Sequence, residues 1–302
     1  MTERRRITLL GHIRPIHLLT TTGLYILGTG IARYLGERID LSSFSLGLIW
    51  IITIQLGFYF LGDNINSPFD IGLYNRLPPE SPRSQNQSKD REDLLLFTSL
   101  ALLSAAGVLT VILGIQRSLS LPSGLIMGVF FFGFCLLVIP GISLENSGIG
   151  EIITSIILVL CPPAIGFLLQ YDVFHPFLVF GIFPIFPLHL ALIIVLRLLS
   201  FRDDLRLVKK NLLVRLGWIQ AIFIHNVLIF CGFLLFGFGL FFGFPFQLVG
   251  FVFFALPPGL YLVWYLSKLE DGVPVRWYLI ISLSVVVFFL PLYLLTYSTW
   301  MN

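Results

Sequence analysis

The sequence predicts an all-α membrane protein, a multi-pass bundle of nine transmembrane helices. Hydrophobic residues make up 57% of the 302 residues, charged residues make up 12%, and the mean hydropathy is +0.93. A typical soluble domain has about 25% charged residues. The apolar residues also fall into runs long enough to cross about 30 Å of hydrocarbon as helices. We therefore expect residues 1–302 to form a single domain in a lipid bilayer.

Nine apolar runs follow one another along the chain, separated by polar or turn-rich segments. They cover residues 16–35, 44–61, 94–114, 121–140, 152–170, 174–199, 217–242, 246–267 and 276–299. A transmembrane helix needs about 20 mostly apolar residues, so each run is long enough to span the bilayer. An odd number of spans places the two termini on opposite sides of the membrane.

The 19 Lys and Arg residues predict the orientation. If the N-terminus is cytoplasmic, Arg33, Arg38 and Arg117 fall on the outer side and all other basic residues fall on the inner side. Cytoplasmic segments of membrane proteins carry such an excess. We expect a cytoplasmic N-terminus and an outer C-terminus, in the cell membrane or an internal photosynthetic or other energy-transducing membrane. Topology explains the net charge of +3, which gives no reason to expect a nucleic acid partner.

Several polar side chains interrupt the sixth and seventh runs, where they are costly and often functional. The candidates are His189, Arg197 and the pair His225-Asn226. We expect Arg197, which lies near the end of its run, to extend toward the cytoplasmic surface. For His225 two interpretations stay open, an acceptor-binding or proton-accepting group and a hydrogen bond between helices. The three cysteines lie within runs and without CxxC spacing, so they indicate neither a disulfide nor a metal site.

The first acid-bearing segment, residues 62–93, follows the second run and is predicted to be a cytoplasmic loop. Asp63, Asn66 and Asp70 are spaced i, i+3 and i+7. This spacing places them on one face if the preceding helix continues. Their oxygens suit Mg²⁺, for which one or two carboxylates are enough when substrate phosphate supplies further ligands. The alternative is that they are solvated polar residues at a helix end.

The second acid-bearing segment, residues 200–217, follows the sixth run and therefore opens on the same side of the bilayer. Ser200 and Asp204 are spaced i and i+4, and Lys209 and Lys210 follow them. Two acid-bearing segments on one side of the membrane, each with basic residues nearby, favour a magnesium diphosphate site over two unrelated helix ends.

The motifs resemble those of a known family. Residues 204–217 read Asp-Leu-Arg-Leu-Val-Lys-Lys-Asn-Leu-Leu-Val-Arg-Leu-Gly. This stretch is similar to the second acidic motif and lysine-rich segment of the UbiA superfamily of intramembrane prenyltransferases, most of all to the branch that prenylates 1,4-dihydroxy-2-naphthoate. The family's first motif, Asn-Asp-x-x-Asp-x-x-x-Asp, resembles residues 62–70, which follow a Gln55-x-Gly57 typical of that branch. Arg14-Pro15 and the Gly-Ile-Gly-Glu of residues 148–151 also match.

The resemblance implies a UbiA-like fold and a Mg²⁺-dependent prenyltransferase. Its substrates would be a polyprenyl diphosphate and a small aromatic acceptor of the quinone-precursor type. The catalytic carboxylates implied are Asp63, Asp70 and Asp204. The metal-binding residues implied are Asp63, Asn66, Asp70, Ser200 and Asp204. Arg76, Lys209 and Lys210 are implied to bind the diphosphate.

Three positions depart from the family pattern. Gly62 replaces the leading Asn, Asn66 the middle acid of the first motif, and Ser200 the first acid of the second. A second register of the first motif, with Asn66, Asp70 and Tyr74, stays open, although Gln55 and Gly57 favour the first.

The altered positions also leave a second function open. A divergent family member would bind a prenyl lipid, a pigment or a protein partner without catalysing transfer. A transporter is a third hypothesis. The acidic positions argue against it because they lie in cytoplasmic segments, whereas alternating-access sites lie near the bilayer midplane.

Overall fold

The computed structural model describes residues 15–74, 82–116, 118–139, 144, 148–206, 211–269 and 275–302, with the backbone alone for 66–74, 82–91, 202 and 203. The regular elements of this part are helices. They are α1 (Pro15–Tyr34), α2 (Leu41–Tyr74), α3 (Pro82–Ile115), α4 (Leu121–Val138), α5 (Gly150–Leu168), α6 (Pro176–Ile182), α7 (Ile185–Arg206), α8 (Leu212–Leu216), α9 (Trp218–Phe241), α10 (Phe246–Val249), a 3₁₀ turn (Gly250–Ala255), α11 (Leu256–Lys268) and α12 (Trp277–Met301).

Eight helical segments within the described ranges are long and apolar enough to cross a membrane. They are Leu41–Ile65, Glu92–Ile115, Leu121–Val138, Gly150–Leu168, Pro176–Phe201, Trp218–Phe241, Phe246–Lys268 and Trp277–Met301. Each coincides with a predicted apolar run, so the chain is an all-helical, multi-pass membrane protein. The first predicted run forms α1, which has 20 residues. Its threonines and glycines lower its apolarity, and α1 is not among the eight.

Helices α1 and α5 lie at the centre of the bundle. Helix α1 packs against α2, α5 and α12. A Cβ atom at Gly28 would lie 1.9 Å from the carbonyl oxygen of Pro163, so the two backbones touch at this point. One turn away, the hydroxyl of Thr29 donates to the carbonyl of Gly166 at 3.2 Å. Small residues permit this close approach, as is common between helices in membranes.

Two hydrophobic cores lie side by side, and α1 and α5 contribute to both. One core contains buried residues of α2, α3 and α4, with Tyr25 of α1 and the inner face of α5. The other contains buried residues of α6, α7, α9, α11 and α12. Because α1 and α5 face protein on both sides, the buried threonines of α1 need not face lipid.

The two predicted acid-bearing segments are largely helical where they are described. Helix α2 continues through residues 62–74, α7 continues to Arg206, and α8 follows after a short gap. The physical reason is that a helix satisfies its own backbone hydrogen bonds and does not need to end where the apolar run ends. The continuation of α2 agrees with the helical spacing assumed for Asp63, Asn66 and Asp70.

Candidate functional site

The predicted pair Ser200 and Asp204 lies at the end of α7. Asp204 is buried, with 3% of its surface exposed. The Ser200 hydroxyl, one helical turn earlier, donates to Asp204 Oδ2 at 3.1 Å. The Asn211 side-chain amide donates to the same oxygen at 2.7 Å. The predicted i, i+4 pair is thus in contact, and two donors fix the orientation of the carboxylate.

Asn211 holds the segment that follows α7, a role that the sequence interpretation did not assign. Its Oδ1 accepts a hydrogen bond from the Val214 backbone N–H at 2.9 Å, so Asn211 is the N-cap of α8. Its Nδ2 contacts Asp204. Both ends of the amide are therefore used, and the start of α8 is tied to the end of α7. Asn before a short apolar helix is a typical capping signal, which could have indicated this residue.

An ion pair between a partly exposed arginine and a buried carboxylate joins three segments near the end of α7. The Arg197 Nε atom of α7 lies 3.3 Å from Glu151 Oε1. The other carboxylate oxygen, Glu151 Oε2, accepts from the Leu212 backbone N–H at 3.3 Å. Glu151 belongs to the first turn of α5, where the helix dipole favours a negative charge. One carboxylate thus connects the beginning of α5 with α7 and α8.

Gly148, in the segment 148–151 singled out by the sequence, packs closely against α8. Gly148 has φ +80°, and a Cβ atom there would lie 2.4 Å from Cδ of Arg215. The long side chain of Arg215 therefore packs on the glycine, in the left-handed backbone region that glycine adopts readily. A small pocket opens beside the ion pair. Its lining consists of Glu151, Ile194, Arg197, Leu212, Leu213, Leu216 and Ala221.

The sequence interpretation expected Arg197 to extend toward the surface. In the structure it also forms an ion pair with Glu151. Its side chain is 32% exposed, whereas that of Glu151 is 3% exposed. Arg197 is therefore partly exposed, whereas the carboxylate that it contacts is buried. Nothing in the local sequence pairs the two residues, because they come from different helices.

The first acidic segment lies at the same end of the bundle. Asp63 is partly buried on α2. The neighbouring Asn64 donates from Nδ2 to the Glu92 carbonyl at 2.6 Å, which ties α2 to α3. A Cβ atom at Gly62 would lie 3.5 Å from Val138 of α4. The C-terminal ends of α2, α4 and α7 therefore lie on the same side of the bundle as the N-terminal ends of α3 and α5.

The remaining predicted site residues divide into two groups. For Asn66 and Asp70 the backbone lies within α2. Arg76, Lys209 and Lys210 lie outside the described residues. Among the side chains that are described, no three His, Cys, Asp or Glu residues come together to hold a metal ion. Of the predicted metal-binding residues, the structure describes the side chains of Asp63, Ser200 and Asp204.

Gln55 belongs to a chain of hydrogen bonds in the bundle interior. The Thr21 hydroxyl donates to Gln55 Oε1 at 2.7 Å, and Gln55 Nε2 donates to the Tyr59 hydroxyl at 2.7 Å. The Tyr59 oxygen lies 3.0 Å from His17 Nδ1. At Gly57 a Cβ atom would lie 3.0 Å from the Leu103 side chain, so the glycine lets α3 approach α2.

The polar residues of the sixth and seventh runs have different surroundings. His189 is fully buried, and its ring lies next to those of His17 and Phe288. His225 contacts Asn226 at 3.1 Å, and Asn226 Nδ2 donates to the Ser267 hydroxyl at 3.1 Å. The second contact joins α9 to α11, so the bridge between these helices is made by Asn226, whereas the contact of His225 lies within α9.

Fold and polar residues together define the class of protein: a helical, multi-pass membrane protein with two buried carboxylates, Asp204 and Glu151, at one end of its bundle, here called the carboxylate cluster. Searches found no protein-family model that matches the chain and no curated protein that matches it.

Proposed function

We propose that the protein transfers a polyprenyl group from a polyprenyl diphosphate to a small aromatic, quinone-precursor-type acceptor in a Mg²⁺-dependent reaction. One observation carries the proposal. Asp204, the acid of the segment that resembles the second motif, is buried and held by Ser200 and Asn211 at the end of a transmembrane helix. A buried carboxylate in this position is costly unless it is paired or binds a cation.

The residues present suit a magnesium ion. Mg²⁺ takes oxygen ligands, retains several waters and needs one or two carboxylates beside substrate phosphate. Hydrogen bonds to a ligating carboxylate orient it and tune the site. Ser200, which replaces an acid of the family pattern, donates such a bond to Asp204. We therefore assign Asp204, Asp63 and Asp70 to the metal, with Asn66 as a further ligand and Ser200 acting mainly through Asp204.

The bound metal would neutralise the leaving diphosphate and so favour cleavage of the prenyl C–O bond. The chain's own cations complete the proposed anion site. Arg76, Lys209 and Lys210 are proposed to bind the phosphate oxygens. Glu151 accepts a hydrogen bond from the Leu212 amide, and Asn211, which follows Lys210 in the sequence, caps α8.

We also propose nine spanning helices in a UbiA-like arrangement, with the N-terminus in the cytoplasm. Helix α1 would be the ninth span. Its 20 residues correspond to about 30 Å at 1.5 Å per residue, the thickness of the hydrocarbon layer. The central position of α1 accounts for its lower apolarity, because its polar residues face α2 and α5.

The test measures diphosphate release from geranylgeranyl diphosphate by the purified protein in lipid. The acceptors offered are 1,4-dihydroxy-2-naphthoate and homogentisate, with and without Mg²⁺. We expect Mg²⁺-dependent turnover that falls at least ~100-fold in Asp204→Asn and in Asp70→Asn, which corresponds to about 2.7 kcal/mol of transition-state stabilisation. Asn211→Ala should lower it less, by about tenfold, because the carboxylate remains and loses one donor.

The matched control is Asp172→Asn. Asp172 is an exposed aspartate between α5 and α6, at the opposite end of the bundle, and its loss should leave turnover unchanged. Turnover that survives Asp204→Asn would contradict the proposed site. Binding of the donor without release of diphosphate, with either acceptor, would favour the alternative of a non-catalytic prenyl-lipid binder.

A further inference from the structure

Helix α8 is a five-residue helix that connects α7 with the membrane-spanning α9. It packs against both of these helices. Leu213 is its buried residue, with 3% of its surface exposed. A helix this short has little stability of its own, because isolated helices shorter than about 12–15 residues are marginal in water. The position of α8 therefore depends on its contacts with the rest of the bundle.

Two hydrogen bonds fasten the beginning of α8. The Leu212 backbone N–H donates to Glu151 Oε2 of α5 at 3.3 Å. The side-chain amide of Asn211, the N-cap of α8, donates to Asp204 Oδ2 of α7 at 2.7 Å. Both bonds lie at the same end of the helix. We call these two bonds the latch.

The other end of α8 is a glycine with an unusual backbone conformation. Gly217 has φ +80° and ψ 167°. Glycine alone adopts this region readily, and another residue there costs about 1–3 kcal/mol. A Cβ atom on Gly217 would have no neighbour within 4 Å. Gly217 thus joins α8 to α9 with free space around it, as a residue that absorbs a backbone rotation requires.

The small pocket beside the ion pair lies under α8. Three of its seven lining residues, Leu212, Leu213 and Leu216, belong to α8, so this helix closes one side of the pocket. The volume of the pocket is about 10 Å³. This is at the lower limit of the room that one water molecule needs, so the closed pocket hydrates its polar lining poorly.

The closed pocket leaves one polar atom without a hydrogen bond. Glu151 Oε1 is buried and has no hydrogen-bond partner, although the Arg197 Nε atom lies 3.3 Å away. A buried acceptor in this state costs about 1–3 kcal/mol, and more when the group is charged. Water supplies the missing hydrogen bond once α8 moves away. The closed arrangement is therefore less favourable than its contacts alone indicate, and opening costs correspondingly less.

We propose that α8 is a lid over this pocket, which rotates about Gly217 and is held closed by the latch. When the latch opens, water reaches the Glu151 carboxylate, and the pocket becomes a groove between α5, α7 and α9. The bundle stays folded while α8 is open, because α8 contributes only Leu213 to its hydrophobic cores. The lid does not rest on the proposed function, since it involves no substrate.

The reaction of a buried cysteine with a maleimide measures the opening. The reporter is Leu213→Cys in the purified protein in lipid nanodiscs, in a background without Cys135, Cys161 and Cys231. Because Leu213 is 3% exposed, a cysteine in its place reacts while α8 is open. The reference reporter is Leu262→Cys on α11, at a fully buried position, which reacts only when the bundle unfolds.

Gly217→Ala tests the hinge. Alanine disfavours the closed conformation of residue 217, so we expect the Leu213→Cys reporter to react about tenfold faster. Gly243→Ala is the matched control, because Gly243 also has a positive φ, +86°, and also has free space for a Cβ atom, but follows α9 at its other end. It should leave the rate unchanged. Equal rates in the two variants would overturn the proposal.

Leu212→Pro tests the latch, because proline has no backbone N–H to donate to Glu151. Proline suits the first residue of a helix, and Asn211, with φ −73° and ψ 169°, already has the extended conformation that a residue before proline adopts. Leu212→Ala is the control, since it also removes the leucine side chain but keeps the N–H. We expect Leu212→Pro to react about fivefold faster than Leu212→Ala. Equal rates would overturn the role of Glu151 in the latch.

The Leu262→Cys reporter separates lid opening from loss of the fold. Its rate should stay the same in Gly217→Ala and in Leu212→Pro. A parallel rise of both reporters would overturn the proposal, since α8 would then open only together with the bundle.

Hydrogen exchange of the unsubstituted protein tests the lid without cysteine reporters. The amides of residues 212–216 should exchange faster than those in the centre of α9, because they exchange through a local opening. Equal protection of the two segments would contradict a separate opening of α8. Substrate and Mg²⁺ are left out of every sample, so these outcomes do not depend on whether the protein transfers a prenyl group.

Discussion

At the scale of single residues, Asp204 and Glu151 are both acidic and almost fully buried, yet they are held differently. Asp204 accepts hydrogen bonds from two neutral side chains, Ser200 and Asn211. Glu151 pairs with a cation and with a backbone amide. The first arrangement orients the carboxylate. The second neutralises the charge and suits a structural role.

Asp40 is a residue whose effect on stability should depend on pH. It precedes α2, and its carboxylate accepts hydrogen bonds from the Ser43 hydroxyl and from the backbone N–H groups of Ser43 and Ser42. These bonds, that of the Ser43 hydroxyl most of all, lower the pKa of the Asp40 carboxyl below its ordinary 3.8. The folded state therefore binds the proton less tightly than the unfolded state does.

Because the folded-state pKa is lowered, the stabilisation is complete above pH 3.8 and is lost as the pH falls through the folded-state pKa. We expect Asp40→Ala to lower the free energy of unfolding by about 0.5–1 kcal/mol at neutral pH, at the low end for an N-cap because the carboxylate is exposed. The difference from wild type should shrink as the pH falls below 3.8. Thermal unfolding in detergent across this range measures it.

Asp40→Asn is the control, because Asn caps a helix about as well as Asp does but does not titrate. Its stability should stay near that of wild type at neutral pH and lack the loss on acidification that Asp40 contributes. A constant difference between wild type and Asp40→Ala at every pH would show that the carboxylate charge is not involved.

At the scale of the elements, close contact between backbones holds the centre of the bundle. Helices α1 and α5 meet where Gly28 faces Pro163 and where Gly166 faces the Tyr25 carbonyl, 2.4 Å from a Cβ placed on that glycine. Any larger side chain at these positions must separate the helices. Since α1 and α5 belong to both cores, a local separation disturbs both.

Gly28→Ala should therefore destabilise the protein. The added methyl group would meet the Pro163 backbone at 1.9 Å, which a rotamer change cannot relieve. We expect a loss of about 1–3 kcal/mol, as for overpacked cores. Gly107→Ala on α3 is the control, because a Cβ atom there has no neighbour within 4 Å. It should be neutral or slightly stabilising, since alanine favours helix more than glycine does. Thermal unfolding of both variants in one detergent measures the difference. Equal stabilities of the two variants would contradict the close contact between Gly28 and Pro163.

At the scale of the whole molecule, the testable feature is which end of the bundle faces the cytoplasm. The carboxylate cluster lies at the end where α7 ends, and the Asp40 cap lies at the other end, hydrogen-bonded to Gln170 after α5. Positive-inside reasoning places the cluster in the cytoplasm.

Single cysteines report this orientation. In a background without Cys135, Cys161 and Cys231, we expect Glu37→Cys to react with a membrane-impermeant maleimide added to intact cells. Lys268→Cys, at the end of α11, should react only after the membrane is opened. The physical reason is that the reagent does not cross the bilayer and the two positions lie at opposite ends of the bundle. The reverse pattern would place the carboxylate cluster outside and contradict the proposed function.

The sequence by itself determined the class of the protein and the order and approximate extent of its helices, because apolar length is a local property set by the thickness of the bilayer. It also indicated the Ser200 and Asp204 pair, since both residues lie on one helix at a fixed spacing. It did not mark where the helices end: residues 62–74 continue α2 because backbone hydrogen bonds, unlike hydropathy, do not stop at the membrane surface.

The tertiary structure alone decided which side chains from different helices meet. Glu151 contacts Arg197 across 46 positions of sequence, Asn211 caps one helix while it holds a carboxylate of another, and His17 lies beside His189. Such contacts depend on how helices pack, and packing is set by many weak, distributed contacts such as that of Gly28 with Pro163. No single residue type or local spacing encodes them, so they become visible only when the bundle is assembled.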